Sequence, residues 1–293
     1  MRLSVIFSVL NNFDLFQTAI DLANVNSETD LDFVVIDNGS DEPLVVKEKV
    51  NLFRKEENIG NYPVFEEVLK HNLAAGDILA FFHTDLFIYE KGWDKRVIEG
   101  FEKNPKLGLI GFIGSNEIDN LGGRGLGTMS NFQGRQVGKW KGSPAEVHGK
   151  RINDLRKAVL VDGCSMIFRK KCLEEIGFLS NFPPHHFYDR LMCCQAREKG
   201  WEIGVLGIEC DHFSGMTVNR EPKYHTLAEK WMKERWGSID NWIEKNKDWF
   251  NNPQNPNYQK RPAQADQWVY LEAERQFLQE YRDKKHLIPV KEL

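Results

Sequence analysis

Residues 78–89, ILAFFHTDLFIY, combine the pattern of a buried strand with a polar interruption. The apolar run is typical of a strand inside a sheet, yet His83, Thr84 and Asp85 stand in its middle. Burying an unpaired carboxylate costs several kcal/mol. Asp85 must therefore lie where the strand leaves the core, or it must be paired with a cation.

Alternating strand-like and helical segments surround this stretch. Further apolar runs that predict strands are LSVIFSVL at 3–10, LDFVVI at 31–36, VNLFRKEEN at 50–58 and KLGLIGFIG at 106–114. Helical spacing of apolar residues occurs at 13–23, 63–74 and 93–103. This order predicts an α/β fold, Rossmann-like, with a mostly parallel central sheet covered by helices on both faces. Because sites in such sheets lie beyond the carboxyl ends of strands, Asp37-Asn38 and His83-Thr84-Asp85 are expected on one rim.

The later part of the chain divides into three stretches. Residues 114–157 are rich in glycine and keep no period, which indicates a functional loop, a lid or disorder. Order returns with a strand, turn, strand and helix at 158–177, and with a helix, a glycine cap at Gly200 and a strand at 188–207. We expect a domain over 1–215, made of halves 1–113 and 114–215, followed by a C-terminal helical extension over 216–293 that packs as an appendage or forms a dimer surface.

Composition excludes several classes of protein. A net charge of -4 and a pI near 6.1 argue against a generally nucleic-acid-binding surface, although residues 133–157 hold seven basic and two acidic residues. The five cysteines are odd in number and contain no C-x-x-C pair, which predicts reduced thiols in the cytoplasm. The apolar start is too short for a membrane span and lacks the flanks of a signal peptide, so no transmembrane segment is expected.

Six motifs occur in an order that is informative as a set. They are VVIDNGSDE at 34–42, NIGNY at 58–62, FFHTD at 81–85, VDGCSMIFRKKCLEEIGFL at 161–179, YDRLMCCQAREKGWEIGVL at 188–206 and CDHFSG at 210–215. Together they resemble the family 2 glycosyltransferases of the GT-A fold over about residues 2–237. The third motif resembles a His-x-Asp variant of the family's Asp-x-Asp metal motif.

The resemblance implies a metal site that also answers the opening question. A nucleotide-sugar donor leaves as a diphosphate, and a divalent cation offsets the negative charge that develops on it. Asp85 is the expected ligand and His212 the second, while the role of His83 stays open between metal ligand and phosphate donor. Imidazole suits Mn2+ better than Mg2+, so Mn2+ is the preferred ion of the two. The alternative for Asp85 is an ordinary turn residue after a strand.

The resemblance also assigns residues to the donor. Asp37 could accept a hydrogen bond from the imide N–H of a base, for which UDP is the commonest nucleotide, with Asn38, Asn58 and Gly60 nearby. Asp162 is expected to contact a sugar hydroxyl. An Asx turn at 37–40 and a simple turn at 162–163 are the structural alternatives.

Asp189 matches the family's catalytic base, which removes a proton from the acceptor hydroxyl. Its position at the start of a helix also suits the helix dipole without any catalysis. Three residues depart from the family pattern: Tyr188 replaces a Glu, Leu191 replaces an Asp, and Glu66 stands where many members have Asn. These departures leave open a specialised or weakened enzyme.

The function expected is an inverting, metal-dependent transfer of a sugar from a nucleotide-sugar to an acceptor hydroxyl by single displacement. The acceptor is a glycan, a lipid-linked glycan or another hydroxyl compound; hydroxymethylated DNA is an alternative that the segment 133–157 leaves open. A non-catalytic nucleotide-sugar or glycan binder is the alternative from another class. A nucleotidyltransferase ranks below both, because no glycine-rich phosphate loop opens the chain.

Overall fold

The computed structural model describes residues 1–46, 49–116, 127–132, 150–180, 182 and 188–212. Five helices lie in these residues: α1 Phe13–Val25, α2 Asn61–Lys70, α3 Trp93–Lys103, α4 Lys170–Ile176 and α5 Tyr188–Glu198. The strands are β1 Leu3–Val9, β2 Asp32–Asn38, β3 Asn51–Lys55, β4 Ile78–Phe82, β5 Leu86–Ile88, β6 Leu107–Gly111, β7 Ile113–Ser115, β8 Thr128–Phe132, β9 Lys150–Arg151, β10 Leu155–Ala158, β11 Leu160–Val161, β12 Ser165–Arg169, β13 Glu202–Leu206 and β14 Glu209–His212. In this described part of the chain, no helix is long and apolar enough to cross a membrane.

The candidate site lies at the carboxyl ends of the parallel strands in a large sheet of eight strands. Its order is β10-β13-β6-β12-β4-β1-β2-β3. Strands β4, β1, β2 and β3 pair in parallel, as do β13 and β6. Strand β12 runs antiparallel between β4 and β6, so its first residues meet the carboxyl ends of its neighbours.

A smaller sheet lies after the carboxyl end of β4. Its order is β11-β7-β8-β14-β5, and β9 pairs with β8. Strand β14 is antiparallel to β5, with His212 opposite Leu86. This register places His212, at the end of β14, next to residues 83–85, which follow β4.

The core lies on both faces of the large sheet, as the alternating pattern predicts. Helices α2, α4 and α5 pack on one face, where Phe65 stacks on Phe81 with ring centroids 4.0 Å apart. Helices α1 and α3 pack on the other, and Trp93 there is fully buried and donates its indole N–H to the carbonyl of Ala23 at 2.9 Å. Full burial of one such apolar side chain contributes roughly 1.5–3 kcal/mol.

The structure confirms most predicted elements, but α2 ends at Lys70 rather than at residue 74. Helices α1 and α3 lie where the apolar spacing placed them, and Gly200 adopts the positive φ of 83° expected after α5. Segment 114–157 is described only at 114–116, 127–132 and 150–157, and there it contributes β8, β9 and most of β10, because short strands pair with neighbours that a local sequence pattern cannot reveal. All five cysteines are buried free thiols, in agreement with the prediction.

Several predictions fall outside the described residues. They concern the helical extension over 216–293 with its dimer surface, and the greater part of the basic segment 133–157.

Candidate metal centre

Strand pairing brings His83, Asp85 and His212 together. Strand β4 ends at Phe82, and the three residues that follow it lead directly into β5. The backbone N–H of His83 donates to the carbonyl of Cys164 at 3.0 Å, which continues the pairing of β4 with β12. His212 arrives from β14, so two sequence segments more than a hundred residues apart meet at one point.

The three side chains present their ligand atoms to one another. His83 Nδ1 lies 3.4 Å from His212 Nε2, and Asp85 Oδ1 lies 3.2 Å from His212 Nε2 and 3.9 Å from His83 Nδ1. A point equidistant from the three atoms lies about 2 Å from each, close to the bond lengths of roughly 2.0–2.2 Å between a divalent first-row metal and nitrogen or oxygen. The side chains of Asp85 and His212 are 14% and 9% exposed, and that of His83 is 33% exposed. Two imidazoles and one carboxylate therefore fit a partly exposed divalent ion.

The electrostatics of the cluster favour ligand-competent protonation states. Burial lowers the pKa of His83 from its ordinary value of 6.5, against the opposing attraction of Asp85. Burial raises the pKa of Asp85, but the charges and the hydrogen bond of its histidine neighbours outweigh it, and the net pKa lies below 3.8. At neutral pH His83 is thus held neutral and Asp85 ionised, the forms in which each binds a metal.

The turn before β12 adjoins the cluster. Asp162 Oδ1 accepts a hydrogen bond from the backbone N–H of Cys164 at 3.0 Å. Ligand atoms of Asp162, Cys164 and His212 all lie within 4.8 Å of one another, so this turn adjoins the first group through a shared histidine. A Cβ on Gly163 would lie 2.4 Å from the hydroxyl of Tyr188, which makes glycine necessary at the centre of the turn.

Tyr188 opens α5 and reaches the cluster from a third direction. Its hydroxyl lies 2.8 Å from His83 Nε2 and 3.4 Å from the carbonyl oxygen of Gly163, to which it donates. Burial raises the pKa of Tyr188 well above its ordinary value, and the carboxylates of Asp189 and Asp162 raise it further. The hydroxyl is therefore neutral, able both to donate and to accept.

Asp189, the predicted base, lies next to Tyr188 at the start of α5. Its Oδ2 accepts from the backbone N–H of Gly163 at 3.2 Å, and its Oδ1 accepts from the N–H of Arg190 at 2.8 Å. The structure thus brings Asp189 to the turn that carries Asp162, and its side chain is half-buried. Its catalytic role stays a prediction.

Asp37 lies at the end of β2 but is enclosed by protein. It is 1% exposed, and its carboxylate accepts from the backbone N–H groups of Ser40 at 3.0 Å and Leu44 at 3.1 Å, and from Arg54 Nη1 at 2.5 Å. Burial raises the pKa of Asp37, but these donors together bring it below 3.8. The carboxylate closes the 37–44 turn, and a contact with a nucleotide base stays a prediction.

Asn38, Asn58 and Gly60 form a second polar group beside that turn. The Asn38 side chain donates to Asn58 Oδ1 at 3.1 Å and accepts from the N–H of Ile59 at 3.0 Å, while Gly60 N–H donates to Asn58 Oδ1 at 2.9 Å. Gly60 has a positive φ of 88° and precedes α2. These residues, predicted to bind the donor, join the ends of β2 and β3.

Three residues that line the candidate site were given no role from the sequence. Arg54 was missed because its partner, Asp37, depends on the register of β2 with β3. Tyr188 was noted only as a departure from a pattern, and Cys164 only as part of a strand. Of the other departures, Leu191 is fully buried in the core and Glu66 is exposed on α2.

The fold resembles solved glycosyltransferases. The mannosyltransferase PcManGT from Pyrobaculum calidifontis, solved in complex with GDP-Man and Mn2+, aligns with a TM-score of 0.51 and 13% identity over 84% of this chain and 64% of that one. TarS from S. aureus, residues 1–349 with UDP, aligns with a TM-score of 0.45 and 16% identity over 71% and 59%. This chain therefore spans less than two thirds of either neighbour. The likeness to the mannosyltransferase confirms the GT-A type of fold.

Sequence comparison identifies the family. No curated protein sequence matches the chain significantly. Residues 70–292 match the model of a glycosyltransferase-like family, which is more than half of the chain. The chain belongs to this glycosyltransferase-like family, as the order of its motifs predicts.

Proposed function

We propose that the protein is an inverting, metal-dependent glycosyltransferase that moves a sugar from a nucleotide-sugar, with UDP as the favoured nucleotide, to an acceptor hydroxyl. The observation that carries this proposal is the group of three ligand atoms from His83, Asp85 and His212 at mutual distances of 3.2–3.9 Å. Such a group is expected where a diphosphate leaving group must be neutralised. Family membership supports the same conclusion.

Asp85 and His212 would hold the ion, and two imidazoles within reach favour Mn2+ over Mg2+. When bound, the ion supplies positive charge to the diphosphate that departs from the anomeric carbon. The chain itself provides a partly exposed pocket, so phosphate oxygens and waters can complete the coordination. The mannosyltransferase neighbour was solved in complex with GDP-Man and Mn2+.

Asp189 is the proposed base. It lies beside the turn of Asp162 through its bond to Gly163, and a carboxylate in this place is a group that can remove the proton of an acceptor hydroxyl. Asp162, adjacent to the metal group, is proposed to accept a hydrogen bond from a hydroxyl of the donor sugar. Attack from the face opposite the nucleotide inverts the anomeric configuration.

The donor nucleoside is proposed to lie over the 37–44 turn, next to Asn38, Asn58 and Gly60. Because protein donors already engage both oxygens of Asp37, a base N–H would compete with these donors for one of the oxygens. A glycan or lipid-linked acceptor is favoured over DNA on account of the acidic net charge. The five buried free thiols suit a reducing compartment such as the cytoplasm.

A panel of nucleotide-sugars tests the proposal, with donor hydrolysis and thermal shift measured with Mn2+, with Mg2+ and with EDTA. We expect one nucleotide-sugar to be hydrolysed only with metal, and Mn2+ to raise the melting temperature. Asp85→Asn should remove both effects, whereas Asp189→Asn should abolish transfer and keep the metal-dependent shift.

Asp30→Asn, an exposed carboxylate on the loop before β2, serves as the matched control and should change neither measurement. Metal-dependent binding of a nucleotide-sugar without any turnover would instead support the non-catalytic binder. Full transfer activity in Asp85→Asn would refute the proposed role of the metal.

A further inference from the structure

The hydroxyl of Tyr188 contacts the ring nitrogen of His83 that faces away from the candidate metal. His83 Nδ1 points toward His212 Nε2 and Asp85 Oδ1, while His83 Nε2 lies 2.8 Å from Tyr188 Oη. The two nitrogens of one imidazole therefore face two different partners. Only one of them can carry the proton when the ring is neutral.

If an ion binds Nδ1 of neutral His83, the ring proton must lie on Nε2, which is 2.8 Å from the Tyr188 oxygen. A carbonyl oxygen can only accept, so the carbonyl of Gly163, 3.4 Å away, offers the hydrogen of Tyr188 an acceptor other than His83. The side chain of Asn61 also hydrogen-bonds to this hydroxyl. With its hydrogen turned toward Gly163, the Tyr188 oxygen can accept from His83 Nε2–H, which is the arrangement that leaves a lone pair on Nδ1 for an ion.

We propose that His83 is a third metal ligand, binding through Nδ1, and that Tyr188 is a positioning residue that fixes its tautomer and ring orientation. This inference rests on the proposed function, whose metal site it completes. Histidine ligands commonly donate their second N–H to an oxygen acceptor, and loss of that acceptor weakens metal affinity roughly 10–100-fold. Tyr188 thus offers His83 Nε2 an oxygen acceptor on the side of the ring away from the candidate metal.

The side-chain packing around Tyr188 supports a fixed position. The residue is 6% exposed and its ring lies against Phe65, with centroids 5.7 Å apart. A Cβ at Gly163 would collide with its hydroxyl at 2.4 Å, so the turn is shaped around this side chain. His83 in contrast is one third exposed, and the Tyr188 hydroxyl restrains its ring from within the protein.

A ligand set of two imidazoles and one carboxylate also predicts metal preference. Imidazole suits Mn2+, Co2+ and other first-row ions, whereas Mg2+ prefers oxygen. We therefore expect the full chain to bind Mn2+ and Co2+ in preference to Mg2+ even without nucleotide. His83→Asp should move the ratio of Mn2+ to Mg2+ affinity toward Mg2+ by about tenfold or more.

Metal titration of the full-length protein without nucleotide tests the inference, with Mn2+ followed by electron paramagnetic resonance and Co2+ by visible absorption. Tyr188→Phe should weaken Mn2+ binding by about tenfold, and His83→Ala should weaken it further. The double variant should bind no more weakly than His83→Ala alone, because Tyr188 acts only through His83. Tyr62→Phe, which removes another buried hydroxyl, is the control and should leave affinity unchanged.

Two results would overturn the inference. Unchanged Mn2+ affinity and an unchanged Co2+ spectrum in His83→Ala would show that His83 is no ligand. An equal loss from Tyr188→Phe with and without His83 would show that the tyrosine only supports the fold. Should Tyr188→Phe fail to fold, the His83 variants decide the question alone. Metal binding through His83 without sugar transfer would refute the proposed function and leave this inference standing.

Discussion

The turns that follow β2 and β4 both carry buried or half-buried carboxylates, yet they use them differently. After β2, Asp37 receives hydrogen bonds from two backbone N–H groups and from Arg54. After β4, Asp85 faces two histidines whose nitrogens, like its own oxygens, are able to bind a metal ion. Asp37 thus has its hydrogen bonds supplied by the protein, whereas Asp85 is placed with two imidazoles in a group that fits a cation.

This difference distinguishes a carboxylate that stabilises the fold from one that is arranged to bind an ion, although both lie at the same edge of the large sheet. Asp37 and Asp85 both end apolar runs, and both match a glycosyltransferase motif. Their positions in the sequence therefore do not distinguish the two roles. A carboxylate that accepts several backbone N–H bonds stabilises its turn, and its removal costs folding free energy. A carboxylate grouped with imidazoles gains its main stabilisation from an ion. Variants of the two turns should therefore fail in different measurements.

The largest expected effect is on metal-dependent turnover. Asp85→Asn should lower turnover by about a hundredfold to a thousandfold, because charge stabilisation of this kind contributes roughly 3–4 kcal/mol. In EDTA at pH 8, where His83 is neutral, the free energy of unfolding should change by less than about 1 kcal/mol. Steady-state kinetics and urea denaturation measure the two quantities. A large loss of stability with unchanged turnover would erase the distinction between the turns.

Two glycines allow the next comparison. A Cβ on Gly39 would lie 2.4 Å from the backbone carbon of Glu57, and its φ is +80°. Gly39→Ala should therefore lower the free energy of unfolding by about 3 kcal/mol, since neither backbone can move away. Gly163→Ala has the same 2.4 Å separation, but from the hydroxyl of Tyr188.

Gly163→Ala should consequently displace Tyr188 and weaken Mn2+ binding more than it lowers stability. Thermal denaturation in EDTA and Mn2+ titration of both glycine variants make the comparison. If Gly39→Ala weakened Mn2+ binding and Gly163→Ala mainly lowered stability, the first turn would not be structural and the second would not support the metal site.

A smaller effect is expected from the buried carboxylate of the first turn. Asp37→Asn should cost about 2 kcal/mol of unfolding free energy, because hydrogen bonds to a charged group are weakened while Arg54 stays hydrated. Asp41→Asn, an exposed carboxylate in the same turn, is the matched control and should stay within about 0.5 kcal/mol of the parent. Urea denaturation measures both. Equal stability of the two variants would show that the enclosed carboxylate contributes nothing to the turn.

The smallest effect is a dependence of stability on pH. Since the pKa of Asp37 in the fold lies below its ordinary value of 3.8, its contribution is complete above that pH. It is lost as pH falls through the lower folded pKa. The stability difference between the parent protein and Asp37→Asn should thus shrink as pH falls from about 5 to about 2. A difference that grows on acidification would mean that the carboxylate is bound in its protonated form.

The sequence predicts the strands and the polar ends that form the rim, because these depend on local patterns. Apolar runs located β1, β2 and β4, and the polar residues that follow them located Asp37 and Asp85. The match of late motifs located Asp189 and His212 beside the same rim. Local pattern and motif order sufficed for these residues.

Other features depend on long-range pairing that no local pattern reveals. Arg54 reaches Asp37 only because β3 pairs with β2 in one register. Tyr188 reaches His83 only because α5 begins over the turn at 162–164. The short strands β8, β9 and β10 are stabilised by their neighbours rather than by their own sequence. Propensity is a weak guide wherever tertiary contacts decide the outcome.

His83 and His212 are 129 residues apart in the chain. Their contact connects the end of β4 in the large sheet with β14 in the small sheet. An ion shared by these side chains would act as a reversible cross-link across a very long loop. Closing such a loop restricts the unfolded chain more than closing a short one. Loading with metal should therefore slow amide hydrogen exchange in β5 and β14 together, so that the small sheet opens as one unit with its attachment to the large sheet.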